Sequence, residues 1–222
     1  MLTSMGADMK YRLVIFDLDG TLLDTIGDLC SSTNHALQEY GLPERTLAEV
    51  QSFVGNGMRR LIERSVPEGT DPGVVDLVFQ EFHRYYKLHS SDHTKVYDGV
   101  MELLEELKQK GYHLAVVSSK ADYAVQELCR HYFGDLFEIC IGDQEGIRRK
   151  PDPEPVLRAI GYFGLQPEET VYVGDSEVDI LTAANTGVDC ISVEWGFRTR
   201  QQLLDAGASV IISRPSQLPE LV

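Results

Sequence analysis

Two aspartates stand one residue apart directly after an apolar run near the start of the chain. The run Leu13–Phe16 has no polar break, which is typical of a short strand buried on both faces of a parallel sheet. Asp17 and Asp19 follow it, and Gly20 and Thr21 then favour a turn. Open α/β sheets bind ligands at the carboxyl ends of their strands. Because two carboxylates this close repel each other unless a cation or a proton lies between them, the pair predicts a site for acid–base or metal chemistry.

The string Asp-Leu-Asp-Gly-Thr resembles the nucleophile motif D-x-D-G-T in the phosphatase branch of the haloacid dehalogenase superfamily. That family implies three further elements: a strand that ends in Ser or Thr, a lysine in a loop, and an acidic pair after a later strand. The chain has all three in this order, as Ser118, Lys150, and Asp175 with Asp179. Each element alone is common in turns and helix caps. Four of them in the right order make the resemblance specific, and it extends over nearly the whole chain.

The resemblance implies a role for each of these residues. Asp17 resembles a nucleophile that forms an aspartyl-phosphate, and Asp19 resembles the general acid that protonates the leaving oxygen and then acts as a base toward water. The implied Mg²⁺ site consists of Asp17, the backbone carbonyl of Asp19, and Asp175. Asp179 is expected at this metal site too, orienting a metal-bound water or the lysine. The residues expected to bind the substrate are Gly20, Thr21, Ser118, Ser119, Lys150 and Arg59.

The overall charge of the chain bears on this chemistry. The formal net charge is -15, which argues against non-specific binding to nucleic acid or to an anionic membrane. A phosphate ester is also anionic, so a bound divalent cation and a few placed basic groups would have to reverse the field locally. The acidic residues of the motif would repel such a substrate without a bound cation, and the resemblance implies that this cation is Mg²⁺.

Strands and helices alternate over most of the chain, which is the pattern that would position these residues. Apolar residues at i, i+3, i+4 and i+7 predict an amphipathic helix from Val100 to Leu107. Further buried strands are predicted at 113–117, 137–141, 170–173, 190–193 and 210–212. The pattern predicts an α/β fold, a doubly wound parallel sheet with a Rossmann-like core and helices on both faces.

One long segment interrupts this alternation. Residues 26–95 have helical spacing throughout and no strand pattern. A helical insert directly after the first strand resembles the small helical cap of the superfamily. We therefore predict a cap domain at 26–95, inserted into an α/β catalytic core made of 10–25 and 96–222. Hinges are expected near 22–25 and 94–98.

Within the superfamily, the closest resemblance is to phosphoglycolate phosphatases. It rests on Asp17-Leu-Asp-Gly-Thr-Leu-Leu-Asp-Thr25, Phe53-Val-Gly-Asn-Gly57 and Val173-Gly-Asp-Ser176. The family often has Thr-Asn-Lys where this chain has Ser118-Ser-Lys120, and Glu177-Val178 replaces residues that are more often basic or Asn. These departures leave the chemistry intact and the substrate open.

The cap sequence offers a candidate for substrate selection. Arg59 or Arg60, just after Gly55-Asn-Gly57, could reach a substrate carboxylate. A helix start with surface arginines is the equally good alternative. Arg59 is therefore a candidate for binding the substrate.

Bulk features set the remaining expectations. Four scattered cysteines without a C-x-x-C motif predict reduced thiols in a cytoplasmic protein. No run approaches the roughly 18 apolar residues of a membrane span. Residues 1–10 lack the apolar region of a secretory signal and are expected to be a loose leader.

We predict a Mg²⁺-dependent phosphoric monoester hydrolase of small phosphorylated metabolites, with phosphoglycolate as the first candidate substrate. Alternatives are a phosphomutase of the β-phosphoglucomutase type, an inorganic pyrophosphatase, and a non-catalytic interaction protein on the same fold. No nucleic-acid or membrane partner is expected. A monomer and a homodimer are both compatible with the sequence.

Overall fold

The computed structural model describes residues 10–222, so the predicted leader lies, apart from Lys10, outside the described residues. The strands are β1 (Leu13–Phe16), β2 (Leu23–Asp24), β3 (Lys95–Val96), β4 (His113–Ala121), β5 (Ile139–Asp143), β6 (Thr170–Gly174), β7 (Asp189–Val193) and β8 (Ile211–Ile212). The α-helices are α1 (Ile26–Glu39), α2 (Leu47–Phe53), α3 (Met58–Ser65), α4 (Pro72–His89), α5 (Val100–Gln109), α6 (Asp122–Phe133), α7 (Glu154–Phe163), α8 (Glu177–Thr186) and α9 (Arg200–Asp205).

Six of these strands form one sheet in the order β5-β4-β1-β6-β7-β8, and every pairing is parallel. The predicted doubly wound α/β fold is therefore confirmed. The chain builds outward from β1 in both directions, with β4 on one side and β6 on the other. The carboxyl end of β1 is thus a topological switch point, where such sheets form a crevice for ligands.

Both faces of β1 are covered, as its unbroken apolar run predicts. Val14 and Phe16 belong to a hydrophobic cluster that includes Leu104 of α5. Leu13 and Ile15 point to the opposite face and pack in a second cluster with α7. Because successive side chains of a strand alternate between faces, four apolar residues anchor β1 in two cores at once. The position of Asp17 is fixed by this anchoring.

The sequence places the end of β4 too early. The strand was expected to stop at Val117, but it continues to Ala121, with a shift in its register against β5 after Val117. The polar residues that suggested a turn, from Ser118 to Lys120, are therefore part of the strand. Helix α9, which is only six residues long, was not predicted at all.

The segment 26–95 forms helices α1–α4, which share a hydrophobic cluster of their own. Val50, Leu61 and Phe82 are among its buried members, and Phe197 from the loop after β7 joins them. Helix α2 begins at a capping box formed by Thr46 and Glu49. Because most of the cluster lies within 26–86, we propose that the segment is a separate cap domain with the predicted boundaries.

The two connections to the cap contain a structure that the sequence did not reveal. Strands β2 and β3 have two residues each and pair antiparallel, with Leu23 opposite Val96. Asp28 of α1 is fully buried, and its carboxylate accepts hydrogen bonds from the amides of His93 and Thr94 at 2.8 Å and from the Thr94 hydroxyl at 2.7 Å. The entry to the cap and its exit are thereby tied together.

No helix among residues 10–222 combines the length and the apolar character that crossing a membrane requires. Cys30, Cys129, Cys140 and Cys190 are all free.

Candidate active site

The predicted residues of three neighbouring strands meet at one edge of the sheet. Asp17 follows β1, Ser118 lies in β4, and Asp175 follows β6. The Asp17 amide donates to the Val173 carbonyl at 2.9 Å, which extends the β1–β6 pairing to the aspartate itself. These residues line a cavity whose other wall includes Met58 of the cap. The cavity therefore lies between the sheet edge and the cap.

Three buried carboxylates cluster in the floor of this cavity. Asp17, Asp175 and Asp179 each have an oxygen within 4.8 Å of the others. Burial raises the pKa of Asp17 to about 7, with Lys150 opposing the shift and the neighbouring aspartates adding to it. Burial, together with Asp179 and Asp17, also holds the pKa of Asp175 well above its usual range. The cluster therefore has an excess of negative charge that favours a cation.

The donor set of the cluster fits a hard divalent cation such as Mg²⁺. Asp17 Oδ1 is buried and accepts no hydrogen bond of acceptable geometry within the described chain. Gly20 has φ +82°, and a Cβ there would collide with the Asp175 carboxylate, so only glycine lets the motif loop approach this closely. Carboxylate and carbonyl oxygens are the ligands that Mg²⁺ prefers. The residues that would hold the metal are Asp17 and Asp175, with the Asp19 carbonyl as the predicted third.

Asp179 is already committed to other partners. Its Oδ2 accepts from the Ser176 amide at 3.0 Å and from the Ser176 hydroxyl at 2.6 Å, and its Oδ1 accepts from Lys150 Nζ at 2.7 Å. A Cβ on Gly174 would collide with the Asp179 side chain. Asp179 thus caps α8 and orients the lysine.

Lys150 lies where the resemblance expected it. Its Nζ is 3.1 Å from Asp17 Oδ1 and 2.9 Å from the Tyr172 hydroxyl, in addition to the bond with Asp179. Burial alone would lower the pKa of this amine, but the charges of Asp17 and Asp179 outweigh burial and hold the pKa well above its usual value. Lys150 is therefore a buried ammonium ion beside the predicted nucleophile.

Asp19 has surroundings of a different kind. Its carboxylate lines the cavity but is not part of the buried cluster. Thr25 Oγ1 donates to Asp19 Oδ1 at 2.7 Å, and Lys120 Nζ donates to both carboxylate oxygens at 2.8 and 3.0 Å. Burial would lower the pKa of Lys120, but the charge of Asp19 overcomes it and raises that pKa. Two neighbouring aspartates thus sit in environments suited to two different tasks.

Both partners of Asp19 lie in strings that the sequence analysis quotes, although no role was assigned to either. Thr25 ends the first motif string, and Lys120 ends Ser118-Ser-Lys120, which stood out only as a departure from a family pattern. What the sequence did not show is that β4 continues past Ser118. Ser118 and Lys120 are two apart in a strand, so they fall on the same face.

The remaining predicted substrate residues occupy two kinds of position. Ser118 and Ser119 line the cavity, and Ser119 Oγ is buried with no hydrogen-bond partner among residues 10–222. Thr21 instead lies behind Asp175, with its Oγ1 3.5 Å from Asp175 Oδ1. Gly20 also packs against Asp175. Thr21 and Gly20 therefore shape the acidic cluster from behind, whereas the two serines belong to the cavity wall.

Arg59 does not line the cavity. Its guanidinium is held on the cap by Glu63 at 3.0 Å and by Asp76 at 2.6 Å. These ion pairs keep it on the partly exposed surface of α3, and Arg60 pairs there with Glu63 as well. Of the two readings of the cap arginines, the structure favours surface arginines at a helix start.

A different arginine lines the cavity instead. Arg198, in the loop after β7, pairs with Glu177 through Nε at 2.8 Å and Nη2 at 3.1 Å. Its Nη2 also donates to the carbonyl of Val54 at 2.7 Å, and its Nη1 to that of Gln51 at 3.3 Å. The core therefore holds the end of cap helix α2 through this side chain. Because Glu177 is neutralised in this pair, it adds less negative charge near the metal site than the sequence suggested.

Comparison with known proteins identifies what the chain is similar to. The family model described as haloacid dehalogenase-like hydrolase matches residues 14–193. The phosphoglycolate phosphatase of Mannheimia succiniciproducens is 32% identical over 221 residues, covering 96% of this chain and 99% of the relative. That of Xanthomonas campestris pv. campestris is 33% identical over 211 residues, covering 94% and 95%.

A solved structure agrees with these relatives. The crystal structure of a predicted phosphoglycolate phosphatase from Lactobacillus delbrueckii subsp. bulgaricus has a TM-score of 0.90 and 35% sequence identity, and it covers 96% of this chain and 98% of that chain. The similarity extends over both the sheet and the helical segment.

Proposed function

The chain belongs to the haloacid dehalogenase-like hydrolase family and is a phosphoric monoester hydrolase, and from this we propose how its own residues carry out the reaction. Asp17 attacks the phosphorus atom of a small phosphorylated metabolite. The ester bond to the leaving oxygen breaks as an aspartyl-phosphate forms, and Asp19 gives its proton to that oxygen. Asp19 then takes a proton from water, whose oxygen attacks the phosphorus and releases phosphate and Asp17.

One observation carries this proposal. Asp17 lies in a buried acidic cluster beside Lys150, whereas Asp19, two residues later, lies outside the cluster with its carboxylate at the cavity wall. A nucleophile must remain close to a cation, and an acid–base group must reach both the leaving group and water. The arrangement supports this division of roles.

The phosphoryl oxygens need donors in the same place. We assign Lys150 and the Ser118 hydroxyl to this task, since both adjoin Asp17 at the sheet edge. Ser119 also lines the cavity and is a further candidate. Mg²⁺, bound by Asp17 and Asp175, would supply the positive charge that brings the phosphoryl group to Asp17 and stabilises the transition state.

Phosphoglycolate is the first candidate substrate, because the relatives named above are phosphoglycolate phosphatases. Its carboxylate would require a cation in the cavity. Since Arg59 lies outside, the basic side chains that line the cavity are Lys120 and Arg198. Arg198 is the stronger candidate, because its four hydrogen bonds within the described chain leave one of its five N–H donors for a ligand, whereas Lys120 bridges both oxygens of Asp19.

The test is phosphate release from a panel of esters, with phosphoglycolate, sugar phosphates, an activated aryl phosphate and inorganic pyrophosphate as members. Activity is expected with Mg²⁺ and not in excess chelator, and Ca²⁺ should not restore it because its larger shell misplaces the nucleophile. Intact mass should show a phosphoryl increment on Asp19→Asn given the activated aryl phosphate, and none on Asp17→Asn. Full activity in chelator would remove the metal from the proposal, and an increment on Asp17→Asn would remove the nucleophile.

A further inference from the structure

Lys120 is a buried cation for which the reaction outlined above has no role. Its side chain is 1% exposed and its Nζ contacts both carboxylate oxygens of Asp19, at 2.8 and 3.0 Å. This is the one ion pair that Asp19 makes within the described part of the chain. An ammonium ion in contact with both oxygens fixes the direction in which the carboxylate points, which a hydrogen bond to one oxygen does not do.

The other side of Lys120 is covered by the cap. The ring of Tyr86 lies 4.8 Å from Nζ, and Tyr86 is a fully buried member of the cap cluster. The ammonium is thus confined between a carboxylate of the core and an aromatic ring of α4. Cation–π attraction holds the ammonium in this position, and the side chains that enclose it block its departure.

We propose that Lys120 is a positioning residue for the general acid–base Asp19, and that Tyr86 confines it there when the cap is seated. The inference rests on the proposed function, in which Asp19 transfers protons. Thr25 holds one oxygen of Asp19 by 2.7 Å, so Lys120 is what fixes the second. Without Lys120, the remaining side-chain hydrogen bond that Asp19 makes among the described residues is the one with Thr25, so the carboxylate changes its orientation and points at the leaving oxygen for less of the time.

The first test is Lys120→Met with two substrates. An alkyl phosphate needs the proton from Asp19 to release its leaving group, whereas an activated aryl phosphate needs little help. Because general acid–base catalysis contributes roughly 10²–10⁴-fold, partial misalignment should lower kcat/KM about 10–100-fold for the alkyl ester. The aryl ester should lose less than about threefold, since kcat/KM reports only the steps through leaving-group departure. Equal losses on both esters would overturn the proposal.

The second test is a double-mutant cycle with Asp19→Asn. If Lys120 acts through Asp19, Lys120→Met should cost little on the alkyl ester once Asp19 is an amide. Multiplicative losses would mean that Lys120 acts independently, and the positioning role would be wrong while the role of Asp19 stands. An Asp19→Asn variant with full activity on the alkyl ester would instead overturn the acid–base assignment and this inference with it.

Matched substitutions separate positioning from loss of structure. Lys87→Met removes an exposed lysine of α4 whose Nζ lies 6.0 Å from the Tyr123 ring, and both esters should be unaffected. Tyr86→Leu should shift the ratio of alkyl to aryl activity in the same direction as Lys120→Met. Phe82→Leu removes the ring stacked on Tyr86 and should lower the melting temperature without moving that ratio.

If Lys120→Met is too unstable to purify, Lys120→Gln can replace it in both tests. Lys120→Gln fills similar volume and can donate hydrogen bonds, but it has no charge and a shorter reach. It should show the same selective loss on the alkyl ester. A ratio of alkyl to aryl activity equal to that of the unsubstituted protein would overturn the proposal in this variant too.

Discussion

Protons and Mg²⁺ should compete for the acidic cluster, and the competition can be calculated from Asp17. Burial places the pKa of this carboxyl at about 7, so it exchanges its proton in the middle of the accessible pH range. A carboxylic acid is a poor metal ligand, and only the ionised form binds. Lowering the pH from about 8 to about 6 should therefore weaken Mg²⁺ binding by requiring a proton to leave first.

The size of the effect follows from the fraction ionised. About one pH unit below the pKa, roughly a tenth of Asp17 is ionised, so the apparent affinity falls about tenfold, or about 1.4 kcal/mol. The pKa of Asp175 is raised as well, which can only add to the loss. Lys150 keeps its charge throughout, because its pKa lies well above its usual value. About tenfold is thus the lower bound.

Calorimetric titration of Mg²⁺ into the protein without substrate measures this effect. Repeating it in two buffers of different ionisation enthalpy counts the protons released, and about one or more is expected at about pH 6. Asp76→Asn, an exposed carboxylate paired with Arg59, is the control and should leave the pH dependence unchanged. Equal affinities at the two pH values, with no proton released, would refute the raised pKa of Asp17 and its place in the metal site.

Four further outcomes follow from the same contacts. Without metal, the raised pKa of Asp17 contributes folding stability that is complete below about pH 4 and is lost as the pH rises through about 7. Mg²⁺ should therefore raise the melting temperature more at high pH than at low pH, which thermal unfolding with and without Mg²⁺ measures. Asp19→Asn, given an activated acyl phosphate, should accumulate a covalent phosphoryl group detectable by intact mass, because hydrolysis of that adduct needs the base; its absence would contradict the role. Asp28→Asn should lower the free energy of unfolding, measured by urea titration, by roughly 2–3 kcal/mol, because a buried carboxylate that accepts three hydrogen bonds is lost. The exposed Asp92→Asn is its control, and a smaller loss in Asp28→Asn than in Asp92→Asn would contradict this prediction. Arg198→Met removes the hydrogen bonds to the end of α2 and should lower kcat/KM by about tenfold, with exposed Arg60→Met as its control.

The residues that the sequence predicted best are those fixed by local strings. Asp17 and Asp175 directly follow strands whose apolar runs are unmistakable, and a parallel sheet brings such strand ends together. Their placement at one sheet edge needed no knowledge of the rest of the chain. Lys150 was assigned as the loop lysine that the resemblance implies, and not through a predicted contact.

What the sequence could not predict depends on contacts between distant residues. Asp28 meets Thr94 across 66 positions, and Lys120 meets Asp19 across 101. Nothing in the local sequence indicates that these charged residues meet. Arg59 illustrates the same limit, because the sequence left ligand binding and a surface position equally open, and the structure pairs it with two nearby acids on the cap.

The net charge of -15 should repel an anionic substrate, and the charges around the cavity indicate how this repulsion is overcome locally. Exposed charges are screened over roughly 8 Å at physiological salt, so the substrate responds mainly to groups in and around the cavity. Five carboxylates and three basic groups line the cavity, belong to the acidic cluster in its floor, or form ion pairs with residues that do: Asp17, Asp19, Asp175, Asp179 and Glu177, with Lys120, Lys150 and Arg198. With every group ionised, two negative charges remain, which is the charge that one divalent cation balances. The raised pKa of Asp17 describes the same excess without metal, because a buried site with unbalanced negative charge takes up protons instead. We infer that a strongly acidic protein can accept a phosphate ester in this way, because with the metal bound the cavity would be neutral and would offer the ammonium of Lys150 to the phosphoryl oxygens.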